Sequence, residues 1–157
     1  MSSILPFQAR LLTPFGMLGI RCDKDVLTGI EFLARETSSL EAESHLAEKV
    51  CIQLTCYFSD PDYRFDLPFK LNGTAHQAKV WRAMCVIPRG QTRQYGELAK
   101  EILSSPRAVG QACGTNPIPI IIPCHRVVSK AGVGGFANHS EGYTLDIKRW
   151  LLEHEQH

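Results

Sequence analysis

The sequence has no apolar run near the ~20 residues that cross a bilayer, no C-x-x-C pair among its six cysteines, no internal repeat and no low-complexity tract. Its opening residues, Met1-Ser2-Ser3-Ile4-Leu5-Pro6, lack a basic segment followed by a long apolar one. These absences argue against a helical membrane span and a secretion leader, and a cytoplasmic protein is expected. Ligand spacing for a metal is also missing, so no zinc site is expected. Cys22, Cys51, Cys56, Cys85, Cys113 and Cys124 are read as free thiols, most of them small buried hydrophobes.

Net charge is only +1, which excludes little, but its distribution is uneven. Residues 1–72 carry seven Lys/Arg against ten Asp/Glu, and residues 73–157 carry ten against six. Between His76 and Lys130 the ratio is eight to two, the pattern of a surface that could face phosphates.

The 157 residues, 44% of them hydrophobic, suffice for one domain or two small ones. Gln8–Leu12, Met17–Cys22 and Asp25–Leu33 are short apolar runs separated by the turn signals Thr13-Pro14-Phe15-Gly16 and Asp23-Lys24, and predict strands. Leu46, Val50, Leu54 and Tyr57 predict a helix, with Ser39 as its N-cap. Phe65, Leu67 and Phe69 alternate with polar residues and Pro68, which predicts an edge strand. Thr74 and Gln77 form a capping-box signature for a helix carrying Ala78, Trp81 and Cys85. A helix from about Tyr95 to Leu103 should bury Leu98, Ala99, Ile102 and Leu103; another should open on Pro106 and close at Gly114. Two short helices across a tight turn outline a helix-turn-helix. Ile118–Ile122, framed by Pro117, Pro119 and Pro123, reads as a rigid buried connector, and Leu145–His154 as a last helix. The expected class is α+β: residues 1–70 a small N-terminal α/β domain (antiparallel sheet plus helix), and residues 73–157 a mostly helical domain with a winged-helix-like helix-turn-helix.

The densest chemical signal is Pro123-Cys124-His125-Arg126-Val127-Val128. Imidazole and guanidinium beside a thiol lower its pKa, and the thiolate is the nucleophile. A Cys-His pair alone is weak evidence, since buried cysteine is commonplace. Here the prolines and the apolar run hold the backbone before the cysteine, which preorganises a site.

This run resembles the active-site motif of the O6-alkylguanine-DNA alkyltransferases. Further segments carry the same resemblance: Tyr95-Gly96-Glu97-Leu98-Ala99, Arg107-Ala108-Val109-Gly110, Asn116-Pro117, and Lys148-Arg149-Trp150-Leu151-Leu152-Glu153-His154-Glu155. Together they span residues 73–155. The resemblance implies single-turnover repair, in which a flipped O6-alkylguanine passes its alkyl group to Cys124 without a cofactor. His125 is then the base, acting through a water, Glu155 the acid that orients it, and Tyr95 the proton donor to the purine. Arg126 is a structural bridge. Asn116, which braces two motifs, and the Val127 carbonyl line the substrate site, with Ser140 or Tyr143 in the loop before the final helix. The helix-turn-helix meets the minor groove of double-stranded DNA through Pro106, Arg107, Ala108, Gly110 and Gln111, Arg107 filling the vacated stack. Arg93, with Lys79, Arg82, Arg89 and Lys100, is a candidate for phosphates. A monomer is expected, with cooperativity on DNA left open.

Rival readings explain less. Alkyltransferase-like damage-binding proteins share the scaffold but replace the cysteine, which is present here. A plain helix-turn-helix regulator leaves the Pro-Cys-His-Arg run and Glu155 unexplained. A Cys-x5-Arg phosphatase needs an arginine where Lys130 stands.

Overall fold

In the first seventy residues, alternation and turn chemistry build a three-stranded antiparallel sheet. Strands β1 (Ala9–Thr13), β2 (Gly16–Asp23) and β3 (Val26–Leu33) pair in the order β1-β2-β3. The computed structural model describes residues 6–132, 134 and 143–156, with Tyr143 described by its backbone. The chain divides into two compact units, residues 1–71 and 72–157.

In the first unit β2 is central and almost wholly buried. The Phe7 ring occupies the place a Cβ on Gly19 would take, and the Arg21 guanidinium lies 3.9 Å over that ring. Helix α1 (His45–Ser59) packs on the sheet through Ala47, Val50, Leu54 and Tyr57. Its N-cap is Ser44, whose hydroxyl accepts from the Ala47 amide, and not Ser39. The segment near Ser39 is extended instead, because Leu40 exchanges two backbone bonds with Arg10 at 2.9 and 3.1 Å. Nor do residues 65–69 form a strand. Pro68 has no N–H, and pairing shrinks to one bridge between Leu27 and Phe69.

The second unit opens with α2 (Ala75–Cys85), started by the Thr74/Gln77 capping box. The Trp81 indole donates to the Ala112 carbonyl at 2.9 Å, tying α2 to α4 (Pro106–Gly114). Between them lie β4 (Arg93–Gln94) and α3 (Tyr95–Glu101). Ser105 caps α4, with Pro106 in the first turn where its missing N–H costs nothing. Helices α3 and α4 are the predicted helix-turn-helix, but α3 ends earlier than its pattern suggests. Leu103 is 92% exposed, not buried, and adopts a left-handed conformation with φ 58°. It turns the chain so that the Ser104 amide reaches the Ala99 carbonyl at 2.8 Å. The Ser104 hydroxyl lies 2.7 Å from His76 Nε2, which pins the turn to α2.

Beyond α4 the connector is buried at Ile118, Ile120 and Ile122. A one-turn 3-10 helix, Cys124–Arg126, follows, then β5 (Val127–Val128) and α5 (Tyr143–His154). β5 pairs in parallel with β4, Arg93 opposite Val127 and Gln94 opposite Val128. That short ladder brings the start of α3 beside the end of the Cys124 turn. Among the described residues no helix is long and apolar enough to cross a membrane.

Leucine in the left-handed region costs roughly 1–2 kcal/mol, and an exposed side chain regains little of it by packing. Leu103→Gly is therefore expected to stabilise the protein by up to about 1 kcal/mol, after allowing for glycine's freer unfolded chain. An unchanged or lower urea midpoint would count against strain at this turn.

Candidate active site

Cys124 stands where the buried connector ends, and the connector is braced from within. Asn116 Nδ2 donates to the Ile122 carbonyl at 2.8 Å, and Asn116 Oδ1 accepts from the Ile118 amide at 3.1 Å. Both ends of that amide thus shape the loop. The Asn116 amide also lies close enough to the Cys124 sulfur to favour its thiolate form. It is the brace that the resemblance implies, and it also lies beside the sulfur. Ile120 holds φ 76° inside the connector, unusual for a β-branched residue.

Behind the thiol lies a buried polar relay. His125, with no exposed surface, places Nε2 2.9 Å from Glu155 Oε2. Arg126 meets the same carboxylate with two bonds, Nε to Oε1 and Nη2 to Oε2, both 2.9 Å. Its Nη1 donates to the Ile87 carbonyl at 2.6 Å. Glu155 is only 1% exposed although it lies near the end of the sequence. Burial pushes its carboxyl pKa up, but the bonds from His125 and Arg126 outweigh this and hold it well below the ordinary range. Burial lowers the His125 pKa, and Arg126 and Lys148 lower it further against the opposing pull of Glu155. The imidazole is therefore neutral at pH 7. With Nε2–H donated to Glu155, Nδ1 is the basic nitrogen, and it has no hydrogen-bond partner among the described residues. This is the orienting logic of a catalytic triad, with one free base.

The thiol itself departs from expectation. Its sequence neighbours suggested a lowered pKa, but burial pushes Cys124 up to about 11. The Arg126 charge is engaged by Glu155 and His125 carries none, so neither offsets desolvation. The counteracting influences come from elsewhere: the Asn116 amide, the charge of Lys148 and the backbone of the turn.

Tyr95, the first residue of α3, is half-buried, and burial together with the Cys113 and Cys124 thiols raises its pKa. Its hydroxyl remains protonated and able to donate. Gly134 lies against it: with φ 79° and a would-be Cβ 3.0 Å from Tyr95 Cε2, this position favours glycine twice over. The Tyr143 side chain and Ser140 lie outside the described residues.

On α4, Pro106, Arg107 and Gln111 are exposed, while Ala108 and Gly110 are partly so. A Cβ on Gly110 would meet nothing within 4 Å, so this face is open and low. Two proposed phosphate ligands are otherwise engaged. Arg93 pairs with Glu97 at 3.7 Å and Glu101 at 3.1 Å, which offsets its charge. Arg89 donates to the Glu155 carbonyl at 2.9 Å and helps anchor the end of the chain. Among the described residues no group of His, Cys, Asp or Glu is arranged to hold a metal.

The sequence reading left out Lys148. It has no exposed surface and donates to the Val127 carbonyl at 2.7 Å, the carbonyl expected to face substrate. A signal was present: Lys148 sits on the helical stripe of Leu145, Leu151 and Glu155, all buried.

A buried cysteine with an oriented imidazole, carried on a helix-turn-helix unit, defines a class of nucleophilic-cysteine proteins built to work on DNA. Comparison with known proteins makes the class specific. The family model described as "6-O-methylguanine DNA methyltransferase, DNA binding domain" matches residues 75–157. A methylated-DNA–protein-cysteine methyltransferase of Methanosarcina mazei is 46% identical over 111 residues, 69% of this chain and 67% of that protein. Its counterpart in Mycolicibacterium paratuberculosis is 38% identical over 152 residues, 92% of this chain and 88% of that one. The crystal structure of the Mycobacterium tuberculosis O6-methylguanine methyltransferase superposes with a TM-score of 0.80 at 34% identity, covering 98% of this chain and 93% of that one. The chain belongs to the methylated-DNA–protein-cysteine methyltransferase family.

Removing one partner of a buried ion pair typically costs about 3–5 kcal/mol, so Arg126→Met is expected to destabilise the protein by roughly that much. Acidification should act in the same direction. His125 and Glu155 both have folded pKa values below their ordinary 6.5 and 4.5, so the unfolded chain takes up protons first. The melting temperature should fall as pH drops below about 6.5, and further below about 4.5. A Glu155→Gln variant should be less stable at pH 7 and show a shallower acid limb. An equal limb in this variant would remove Glu155 as a cause.

Proposed function

We propose that this protein repairs O6-alkylguanine in double-stranded DNA by moving the alkyl group irreversibly to Cys124, one group per chain. The observation that carries the reading is a thiol at the end of a braced connector, backed by the His125–Glu155 relay, on a helix-turn-helix unit. A Mycobacterium tuberculosis relative, OGT, has been solved in complex with DNA; it superposes with a TM-score of 0.78 at 36% identity, over 94% of this chain and 91% of that one.

The thiol proton passes, through a water, to Nδ1 of His125, whose other nitrogen is held by Glu155. The thiolate attacks the alkyl carbon, an S–C bond forms, and the C–O6 bond breaks. Its electron pair stays on the purine as a guanine anion, which takes a proton from the Tyr95 hydroxyl; the phenoxide recovers one from solvent. Such proton transfer typically contributes about 10²–10⁴-fold. No step regenerates the thiol, so the protein is consumed.

A base in the stack cannot reach a buried sulfur and must be flipped, at a cost of a few kcal/mol. The low face of α4 around Ala108 and Gly110 suits a helix approaching the minor groove, which is only ~6 Å wide. Arg107, exposed in the first turn, would fill the gap left by the base. Phosphate contacts would add salt-dependent affinity. The six free cysteines suit work in the reducing cytoplasm, and the protein is read as a monomer.

Incubation with a duplex containing one O6-methylguanine should add one methyl group to the peptide containing Cys124. Cys124→Ser should bind the duplex and gain nothing. Binding without a mass gain in the native protein would support the damage-binding alternative instead. Arg107→Ala should slow transfer from duplex DNA far more than transfer from the free base; equal slowing would argue against a place in the stack.

A further inference from the structure

Every other lysine among the described residues is exposed; Lys148 has no accessible surface at all. Burying an ammonium costs desolvation that methionine or leucine at the same place on the core stripe of α5 would not incur. The charge is held in a definite place, 2.7 Å from the Val127 carbonyl and 5.7 Å from the centre of the Tyr95 ring. Its field reaches Cys124 in the 3-10 turn, Cys113 in α4 and His125. The other charges at this centre are accounted for. Glu155 is engaged by Arg126 and His125, and Tyr95 stays protonated.

We propose that Lys148 is a positioning residue for the transfer reaction: its buried ammonium, seated on the Val127 carbonyl, stabilises the Cys124 thiolate against desolvation. The inference rests on the reading of Cys124 as nucleophile and deepens it. It also divides the labour between two groups. His125 accepts the thiol proton through the water, but burial, with Arg126 and Lys148, disfavours an imidazolium, so Nδ1 releases that proton through the same water to solvent. The thiolate left behind is stabilised by a charge outside the relay. Burial lowers the Lys148 pKa to about 8, while a thiolate at Cys124 or Cys113 raises it, so ammonium and thiolate sustain each other.

The test needs no DNA and is independent of the repair assay. The rate at which iodoacetamide modifies Cys124 is followed by peptide mapping across about pH 6–10 in the full chain. Lys148→Met should raise the apparent pKa of that thiol by about one unit, lowering its rate near neutral pH about tenfold. Melting temperatures of the variants are measured beside the rates. Lys148→Arg, which keeps the charge, should retain much of the native profile. If Lys148→Met is insoluble, Lys148→Gln is read in the same way. A Cys124 profile that superposes on the native one in the neutral variant overturns the proposal. So does a lowered melting temperature with equal rate loss in the arginine and neutral variants, the mark of a merely structural lysine.

Discussion

The active centre depends on one carboxylate that water barely reaches. Glu155 would be costly to bury alone, and it is tolerated because His125 and both arms of the Arg126 guanidinium bond to it. Several features follow from this cluster. It selects the histidine tautomer, leaves Nδ1 as the basic nitrogen, and fixes Arg126, which in turn holds the Ile87 carbonyl. The Glu155 carbonyl accepts from Arg89, and Gln156 donates to the Gly90 carbonyl, so the end of α5 is fastened to the turn after α2. A side chain two residues from the end of the sequence becomes a keystone because the interior supplies its counter-charges.

Around that cluster the site is arranged for a single event. The nucleophile is buried and stored as a thiol, with its pKa raised to about 11. Such a sulfur resists adventitious oxidation and alkylation, and reacts when a substrate is placed against it and a base takes its proton. The groups able to release the thiolate come from three places: Asn116 after α4, His125 in the 3-10 turn, and Lys148 on α5. The β4–β5 ladder adds Tyr95 from a fourth. Reactivity is thus a property of how these elements meet and not of the motif alone.

Helix α4, proposed to face DNA, shows the complementary economy. Its buried side, Val109, Ala112 and Cys113, packs inward, while its outer side is kept low by Ala108 and Gly110. A helix that presents small residues and one arginine is suited to read shape and fill space more than to read base edges, as the proposed repair of a lesion in any sequence context requires.

Much of this was legible in the residues. Local rules carried the three strands, the capping box at Thr74, Pro106 opening α4 and the helix-turn-helix outline, because each depends on neighbours a few positions away. They failed where a distant partner decided the matter: Leu40 pairs with Arg10, which displaces the α1 cap to Ser44, and Leu103 ends α3 by turning left-handed instead of burying. The Cys124-His125-Arg126 run singled out the cysteine and its histidine by side-chain type and order, and the family resemblance pointed to Glu155, which the fold brings to His125. Tertiary structure alone decided the charge balance. It spent Arg126 on Glu155, Arg93 on Glu97 and Glu101, and Arg89 on a carbonyl, and it drew Lys148 into the interior. The physical reason is that a charge's effect falls with distance and rises with burial, and neither quantity is written in the order of residues.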